Sequence, residues 1–279
     1  MPTLQSYETK SFHQSEFQSD SAALTSPLKW AGGKRWQLPH LHKMLRGRRL
    51  ERLVEPFSGS LAVSLGLRPG AALLNDINPH LINFYQWIGR GLVVDFPMEN
   101  EEGAYYENRR RFNELIAAGA AGSSESAGLF YYLNRTGYNG LCRFNQRGFF
   151  NVPFGRHATI NYRREFSEYR RIFRGWRFSS QDFGRIELHP ADLVYADPPY
   201  DVEFTQYSKD GFRWDDQVRL AEWLARHECP AILSNQATPR IIKLYRSLGF
   251  RLKFLNAPRM ISCSGDRSPA REVLAYRNL

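Results

Sequence analysis

Residues 193–200 place a carboxylate, two prolines and an aromatic ring directly after an apolar run typical of a buried strand. The exocyclic amino nitrogen of a nucleobase is a poor nucleophile because its lone pair is delocalised into the ring, so a catalyst must grip the two amino hydrogens. The Asp197 carboxylate and the Pro198 carbonyl can accept them, while Pro199 restricts the backbone and Tyr200 offers a stacking face. The pattern predicts methyl transfer to a planar amino group. An ordinary strand-ending turn is the alternative, since Asp and Pro favour such turns.

Composition and charge limit the classes to which the protein can belong. The chain has 279 residues, which suffices for one large domain or a domain with a sizeable insertion. Its net charge of +10 and its pI of about 9.6 favour polyanionic partners. No run approaches the ~18 consecutive apolar residues of a membrane helix, so we expect no membrane span. Residues 1–26 are rich in Ser and Gln and lack the apolar run of a signal peptide, which predicts a flexible extension.

Residues 105–177 concentrate positive charge. This stretch contains thirteen arginines, no lysine and five acids, a local excess of eight positive charges. Arginine forks hold phosphates and base edges while rings stack or wedge, so the pattern predicts a nucleic-acid surface. A solvated arginine-rich face is the alternative. The interleaved aromatic residues are Tyr131, Tyr132, Tyr138, Phe144, Phe149, Phe150 and Phe154.

Cysteine and histidine spacing gives no metal-ligand pattern. Cys142, Cys229 and Cys263 are widely separated and odd in number, which fits neither a disulfide framework nor a Cys-x-x-Cys site. His40 and His42 point apart on a helix, and the other histidines are scattered. We therefore expect no metal and a reducing, cytoplasmic setting.

Alternating strand and helix patterns predict an α/β fold with a parallel sheet. We expect strands at 52–57, 71–76, 176–180, 193–196 and 231–234, with 250–255 and 272–276 finishing the sheet as a hairpin. Helices are expected at 60–67, 79–90, 214–227 and after Thr238, where Pro239 and Gly249 are start and stop signals. Residues 91–166 break the alternation and predict an insert with helices near 105–117 and 127–134.

Acidic and glycine residues follow the first two strands. In open α/β sheets, ligands bind outside the carboxyl ends of the strands. Gly59 in the Glu-Pro-Phe-Ser-Gly-Ser turn permits close backbone approach, and Asp76, nineteen residues after Phe57, can bond ribose hydroxyls. Lys34 at a helix start can hold the carboxylate of an amino-acid-bearing cofactor. S-adenosylmethionine carries that carboxylate, a ribose and an adenine. Gly59 alone is weak evidence for a cofactor site, because glycine is also common in turns that bind no ligand.

The Gly-Gly-Lys sequence at 32–34 differs from a phosphate-binding loop. It lacks the first glycine of that motif and has no Ser or Thr after the lysine. Nucleotide hydrolysis is excluded on that ground.

The order of motifs from residue 27 onward resembles the Dam-type DNA adenine methyltransferases. The shared segments are Leu-Lys-Trp-Ala-Gly-Gly-Lys (28–34), Glu-Pro-Phe (55–57), Asn-Asp-Ile-Asn (75–78), Asn-Arg-Thr-Gly-Tyr-Asn-Gly-Leu-Cys-Arg-Phe-Asn (134–145), Phe-Asn-Val-Pro-Phe-Gly (150–155), Asp-Pro-Pro-Tyr (197–200) and Ser-Asn (234–235). The resemblance implies a Rossmann-like methyltransferase sheet over 27–90 and 167–279. It also implies an inserted helical target-recognition domain over 91–166 that carries a β-hairpin.

The resemblance further implies S-adenosylmethionine as donor and adenine in double-stranded DNA as acceptor. The residues it assigns to the cofactor are Trp30, Lys34, Phe57, Gly59, Asp76 and Asp197. Those assigned to catalysis are Asp197, Pro198, Pro199 and Tyr200. Those assigned to DNA are Lys29, Tyr138, Asn139, Leu141, Arg143 and Pro153.

Within the recognition hairpin, the resemblance implies that Tyr138 and Asn139 enter the duplex beside a flipped adenine. Arg143 would read a guanine edge, and Leu141 with Pro153 would touch bases. The expected site is GATC or a related sequence with a GA step. Two departures stand out: Leu61 replaces a second glycine after the Glu-Pro-Phe turn, and His157 replaces an aromatic residue.

Other functions remain open on the sequence. An amino methyltransferase for cytosine, RNA or protein glutamine is one alternative, because Pro-Pro-Tyr sites serve several planar amino groups. A catalytically inactive DNA-binding regulator is another. We expect a monomer associated with the nucleoid, with a cognate restriction endonuclease as a possible partner.

Overall fold

The computed structural model describes residues 24–201, 211–257 and 270–279. Seven strands form one sheet in the order β3-β2-β1-β4-β5-β7-β6. The strands are β1 Arg52–Glu55, β2 Ala72–Asn75, β3 Trp176–Ser179, β4 Asp192–Ala196, β5 Ala231–Gln236, β6 Arg251–Ala257 and β7 Ala270–Arg277. Strands β1 to β5 are parallel, and β7 lies antiparallel between β5 and β6. The predicted α/β class and the terminal hairpin are confirmed.

Eight helices accompany the sheet within the described ranges. They are α1 Leu38–Met44, α2 Ala62–Leu67, α3 Pro79–Arg90, α4 Glu102–Ala117, α5 Ser124–Thr136, α6 Ser167–Ile172, α7 Trp214–Ala225 and α8 Pro239–Ser247. None of the helices in this part of the chain is long and apolar enough to cross a membrane.

Local sequence explains where the main helices begin and end. Asn78 starts α3 by accepting hydrogen bonds from the backbone NH groups of His80 and Leu81 at 3.0 and 3.3 Å, with Pro79 in the first turn. Gly91 ends this helix with a φ of 99°. Thr238 caps α8 in the same way, as the sequence predicts.

Several predicted boundaries are wrong. The helix expected from residue 60 begins at Ala62, because Leu61 has a φ of 60° and cannot be part of a right-handed helix. The first strand ends at Glu55 instead of residue 57, and α7 ends at Ala225 instead of residue 227. Helix α6 was not predicted. Most of the 1–26 extension, and Cys263, lie outside the described residues.

The expected hairpin of the 91–166 segment is short. An antiparallel pair joins Phe144 to Phe150, and the Asn151 NH donates to the Arg143 carbonyl at 3.1 Å. A second antiparallel pair joins Gly137 to Phe154. We call residues 137–155 the recognition loop.

Two apolar clusters flank the sheet. The first continues from the sheet and α3 into α4 and α5, where the Phe84 and Tyr131 rings stack with centroids 5.5 Å apart. The second packs α7 and α8 against the opposite face, around Trp223 and Tyr245. Shared packing between α3 and α5 therefore fixes the recognition loop relative to the sheet.

Candidate active site

A cleft of about 520 Å³ opens at the carboxyl ends of β1, β2 and β4. The strand order reverses between β1 and β4, and open α/β sheets bind ligands at such a switch point. The cleft brings together every residue predicted for cofactor binding and catalysis: Trp30, Lys34, Phe57, Gly59, Asp76, Asp197, Pro198, Pro199 and Tyr200.

Asp197 is held at the end of β4 with its two oxygens in different environments. Its Oδ2 forms an ion pair with Lys34 Nζ at 3.2 Å, whereas its Oδ1 is buried without a hydrogen-bond partner among the described residues. Burial raises the pKa of this carboxyl to about 6, although the Lys34 ammonium opposes the rise. A buried acceptor without a donor is costly, which makes this oxygen a ready site for a substrate NH.

Lys34 is directed at Asp197 and Tyr200, two of the residues predicted for catalysis. Its ammonium donates to the Gly32 carbonyl at 2.8 Å and lies 4.4 Å from the centre of the Tyr200 ring. Lys34 stands at a helix start, as the sequence predicts: it directly precedes the 3-10 helix Arg35–Gln37, which continues into α1. Its electrostatic partner is the Asp197 carboxylate.

Tyr200 is fixed by its hydroxyl. The hydroxyl donates to Glu272 Oε2 at 2.7 Å and lies 2.6 Å from Ser234 Oγ. Gln37 Nε2 bridges the same two side chains at 2.9 Å each. Every polar group in this buried network has a partner, so the ring is held at one angle to the cleft.

Sequence reasoning missed Glu272 and Gln37 as site residues. Glu272 lines the cleft from β7 and is 8% exposed. The available signal was a single acid directly before the apolar run Val273–Ala275, since a buried carboxyl requires partners. Gln37 carried no such signal, because glutamine is usually exposed and nothing in the sequence marks this one as buried.

The Pro199 carbonyl is already engaged. Gln217 Nε2 donates to it at 2.8 Å, and Asn235 Nδ2 in turn donates to Gln217 Oε1 at 2.9 Å. The Asn235 Oδ1 accepts from the Asp201 NH at 3.1 Å. These bonds from β5 and α7 fix the backbone of the Asp-Pro-Pro-Tyr segment from behind.

Asp76 and Gly59 form the second half of the cleft. The Asp76 Oδ2 accepts from the Gly59 NH and its Oδ1 from the Asn78 NH, both at 3.0 Å. Burial raises the pKa of Asp76. Gly59 has a φ of 43°, and a Cβ there would lie 3.0 Å from Trp30 Nε1, so both the backbone conformation and the close packing favour glycine.

Glu55 contributes a second buried carboxyl at the end of β1. It is 2% exposed and accepts a hydrogen bond from the Ser64 hydroxyl. Burial raises its pKa to about 8, and the nearby Asp197 carboxylate adds to the rise. Glu55 therefore carries a proton at neutral pH and adds no charge to the cleft.

The recognition loop presents the predicted DNA residues together. Tyr138, Asn139, Leu141, Arg143 and Pro153 are all exposed on this loop. The backbone fixes the two ends of this set, because the Tyr138 NH donates to the Pro153 carbonyl at 3.0 Å. Exposed apolar and aromatic side chains beside an arginine suit contact with bases.

Lys29 differs from the other predicted DNA residues because it is partly turned inward. Its ammonium donates to the Arg135 carbonyl at 3.0 Å, and burial lowers its pKa. The Asn134 side chain bonds both the NH and the carbonyl of Lys29 at 2.8 Å. These bonds tie the segment before the cleft to the end of α5.

His157 also faces inward. Its Nε2 lies 3.1 Å from the Gly137 carbonyl and 3.4 Å from Lys29 Nζ. In this position it braces the start of the recognition loop. Within the described ranges, no group of three or more His, Cys, Asp or Glu is arranged to hold a metal ion.

A seven-stranded, mainly parallel sheet in this order, with an acidic cleft at the switch point, defines a Rossmann-like α/β protein. Residues 30–261 match the family described as D12 class N6 adenine-specific DNA methyltransferase. The chain belongs to this family. It is therefore an adenine-specific DNA methyltransferase.

Curated relatives agree with this assignment. The retron Ec67 DNA adenine methylase of Escherichia coli is 37% identical, with 90% of this chain and 91% of that protein covered. The DNA adenine methylase of Vibrio cholerae is 33% identical, with coverages of 89% and 94%. The DNA N-6-adenine-methyltransferase of Escherichia phage P1 is 34% identical over 89% of this chain and 35% of its own length.

Proposed function

We propose that this enzyme methylates adenine within GATC, or a related site containing a GA step, after the adenine has flipped out of duplex DNA. The observation that carries the proposal is the Asp197 carboxylate, which lines the cleft and whose buried Oδ1 has no hydrogen-bond donor among the described residues. An adenine amino group supplies the missing hydrogen. Because the base must reach a cleft at the edge of the sheet, extrusion from the helix is required.

The cleft residues fit S-adenosylmethionine, which when bound supplies an electrophilic methyl group on its sulfonium. Asp76 would bond the ribose hydroxyls, and the Gly59 backbone allows the close approach that the cofactor needs. Lys34 would hold the carboxylate of the methionine portion. Trp30 and Phe57 line the same cleft, where Ser58 Oγ is buried without a partner among the described residues. That hydroxyl is a further donor for a bound ligand.

Asp197, Pro198 and Tyr200 would act on the adenine. The Asp197 Oδ1 and the Pro198 carbonyl accept the two amino hydrogens, which favours a pyramidal nitrogen with an available lone pair. Stacking on Tyr200 and these two bonds offset the few kcal/mol that flipping costs. Asp197 does not need to deprotonate the amino group beforehand, and it is placed to take the proton that methylation releases.

The recognition loop would select the sequence. Arg143 reads a guanine edge with its guanidinium, and Leu141 with Pro153 contacts neighbouring bases. Tyr138 and Asn139 enter the duplex beside the extruded adenine. The target-recognition role of residues 91–166, the monomeric state and a partner endonuclease stay predictions.

The test is substitution of Asp197. Asp197→Asn removes the charge and one acceptor with little change in shape, and we expect a loss of methylation of at least ~100-fold. Transfer of tritiated methyl groups to a GATC duplex measures it, and anisotropy shows whether duplex binding persists. Asp215→Asn, which makes the same change at an exposed residue, is the matched control. Near-normal turnover in Asp197→Asn would refute the proposed role.

A further inference from the structure

Residues 141–144 of the recognition loop alternate between two directions. Leu141 and Arg143 are exposed, whereas Cys142 and Phe144 are only partly exposed and turn toward α3. In extended backbone, successive side chains point to opposite sides, so the two sets are mechanically linked. One side of this four-residue segment faces the proposed DNA surface, and the other contacts the first turn of α3.

The inward side chains contact the turn that follows Asp76. The Phe144 ring stacks on the His80 ring with centroids 4.8 Å apart and planes inclined by 17°. Cys142 Sγ accepts from Asn78 Nδ2 at 3.2 Å. His80 is 8% exposed and also packs edge-on against Phe112 of α4. A buried aromatic pair of this geometry fixes the relative position of its two elements.

The same turn is part of the cofactor half of the cleft. The Asn78 NH donates to Asp76 Oδ1, and Asp76 Oδ2 accepts from the Gly59 NH. Tyr85, one turn further along α3, donates its hydroxyl to the Gly59 carbonyl at 2.8 Å. A continuous series of contacts therefore joins Gly59 and Asp76, through the start of α3, to Phe144.

We propose that His80 and Phe144 are positioning residues that hold Arg143 at its reading position and couple cofactor binding to recognition of the cognate sequence. The inference rests on the proposed roles of Asp76 and Arg143. A ligand that orders the Asp76 turn orders the base-reading segment through the stacked rings. By linkage, cognate DNA then tightens cofactor binding by the same factor.

Calorimetry with S-adenosylhomocysteine tests the coupling. Its affinity is measured alone, with a GATC duplex, and with a duplex in which the site guanine is replaced. For the unmodified enzyme we expect the GATC duplex to tighten binding by about tenfold, and the replaced duplex to do so much less. Phe144→Leu keeps an apolar side chain but removes the stacked ring. We therefore expect the ratio of S-adenosylhomocysteine affinities with and without the GATC duplex to fall to near one, while the affinity in the absence of DNA is unchanged.

Matched variants separate positioning from general damage. Phe149→Leu changes a ring of the same loop that lies in a groove against α4 and should keep the coupling. His80→Ala should lose it, and His80→Phe, which restores a stacking ring, should regain it. The proposal is overturned if the unmodified enzyme shows no tightening with cognate DNA, or if Phe144→Leu keeps both the tightening and the discrimination.

Failure of the underlying function has a different signature. If Arg143→Ala retains full discrimination between the two duplexes, Arg143 is not the base reader and the proposed function is wrong at that residue. If Arg143→Ala loses discrimination while Phe144→Leu retains discrimination and coupling, Arg143 stays as the reader and only the positioning role of the stacked rings is excluded.

Discussion

The two oxygens of Asp197 have separate tasks in this cleft. Lys34 pairs with one of them and keeps the carboxyl partly ionised against its burial, while the other is buried without a hydrogen-bond partner among the described residues and is the proposed acceptor for the amino group. Without Lys34 the pKa would rise further, because the ammonium is the main group that opposes desolvation. A single cation thus sets the protonation state of the proposed acceptor.

The pH dependence of methylation should report Asp197. Its pKa is raised from 3.8 to about 6, so the ionised acceptor is present above pH 6 and is lost as the pH falls. We expect kcat/KM for DNA, which reflects groups of the free enzyme, to fall about tenfold per pH unit below pH 6. Methyl transfer from pH 5 to 8 measures it, with tryptophan fluorescence as a check on folding. A flat profile down to pH 5 would contradict the assignment.

Glu55 should make the protein less stable as the pH rises. Its folded-state pKa of about 8 exceeds the unfolded value of 4.5, so between these values the folded state keeps a proton that the unfolded state has released. The contribution of Glu55 to the free energy of unfolding is therefore largest below pH 4.5 and decreases as the pH rises to 8. We expect the stability of Glu55→Gln relative to the unmodified protein to increase across that window.

Urea unfolding at a series of pH values gives this difference. Asp76 and Asp197 are present in both proteins, so most of their own contributions cancel in the comparison. Parallel curves for the two proteins would show that Glu55 has an ordinary pKa.

Among the elements, the turn before α2 combines two opposing effects at Leu61. Its φ of 60° is unfavourable for a side chain with a Cβ, yet the side chain is fully buried. The left-handed conformation costs ~1–2 kcal/mol, whereas deletion of a buried leucine side chain costs ~2–5 kcal/mol. Burial is the larger effect, which explains how a leucine is tolerated in this left-handed turn.

Leu61→Gly should therefore destabilise the protein by ~1–3 kcal/mol despite the relief of backbone strain. Urea unfolding with an unchanged m value provides the measurement. Arg68, also left-handed with a φ of 48° but exposed, is the matched position. There, substitution by glycine removes strain without deleting a buried apolar side chain. We therefore expect a much smaller loss of stability than at Leu61, or a gain in stability. An equal loss at both positions would contradict this account.

Element positions followed from sequence where apolar runs have clear end signals. The Thr238 cap and Gly249 delimit α8, and the apolar run before Asp197 delimits β4. Helix α6 was missed because it spans only six residues and buries one of them, Tyr169, so its sequence carries no periodic pattern. The left-handed turn at Leu61 was also invisible, since residue type argues against it.

The site was predictable only in part, for a physical reason. Motif residues such as Asp76 and Asp197 end strands whose carboxyl edges must meet, so their proximity follows from the fold class. The bond between Gln37 and Glu272 joins residues 235 positions apart. Such pairs depend on the placement of β7 between β5 and β6, which strand patterns do not specify.

For the whole molecule, the net charge of +10 should dominate DNA affinity. We expect log affinity for non-cognate duplex to fall linearly with log salt concentration, because each phosphate contact releases counterions. Arg147→Ala, on the recognition loop, should reduce the slope by about one. Arg226→Ala, at the far end of α7 from the cleft, should leave it unchanged. Anisotropy titrations measure both, and equal slopes would exclude Arg147 as a phosphate contact.

Strand β7 is the final strand in chain order, yet it occupies an interior position between β5 and β6 and delivers Glu272 to the cleft. Until residues 270–279 have emerged from the ribosome, the sheet has a gap and the Tyr200 hydroxyl lacks its carboxylate partner. A nascent or truncated copy that lacks these residues therefore lacks the Glu272 bonds that fix Tyr200 and Gln37, even when its recognition loop is complete.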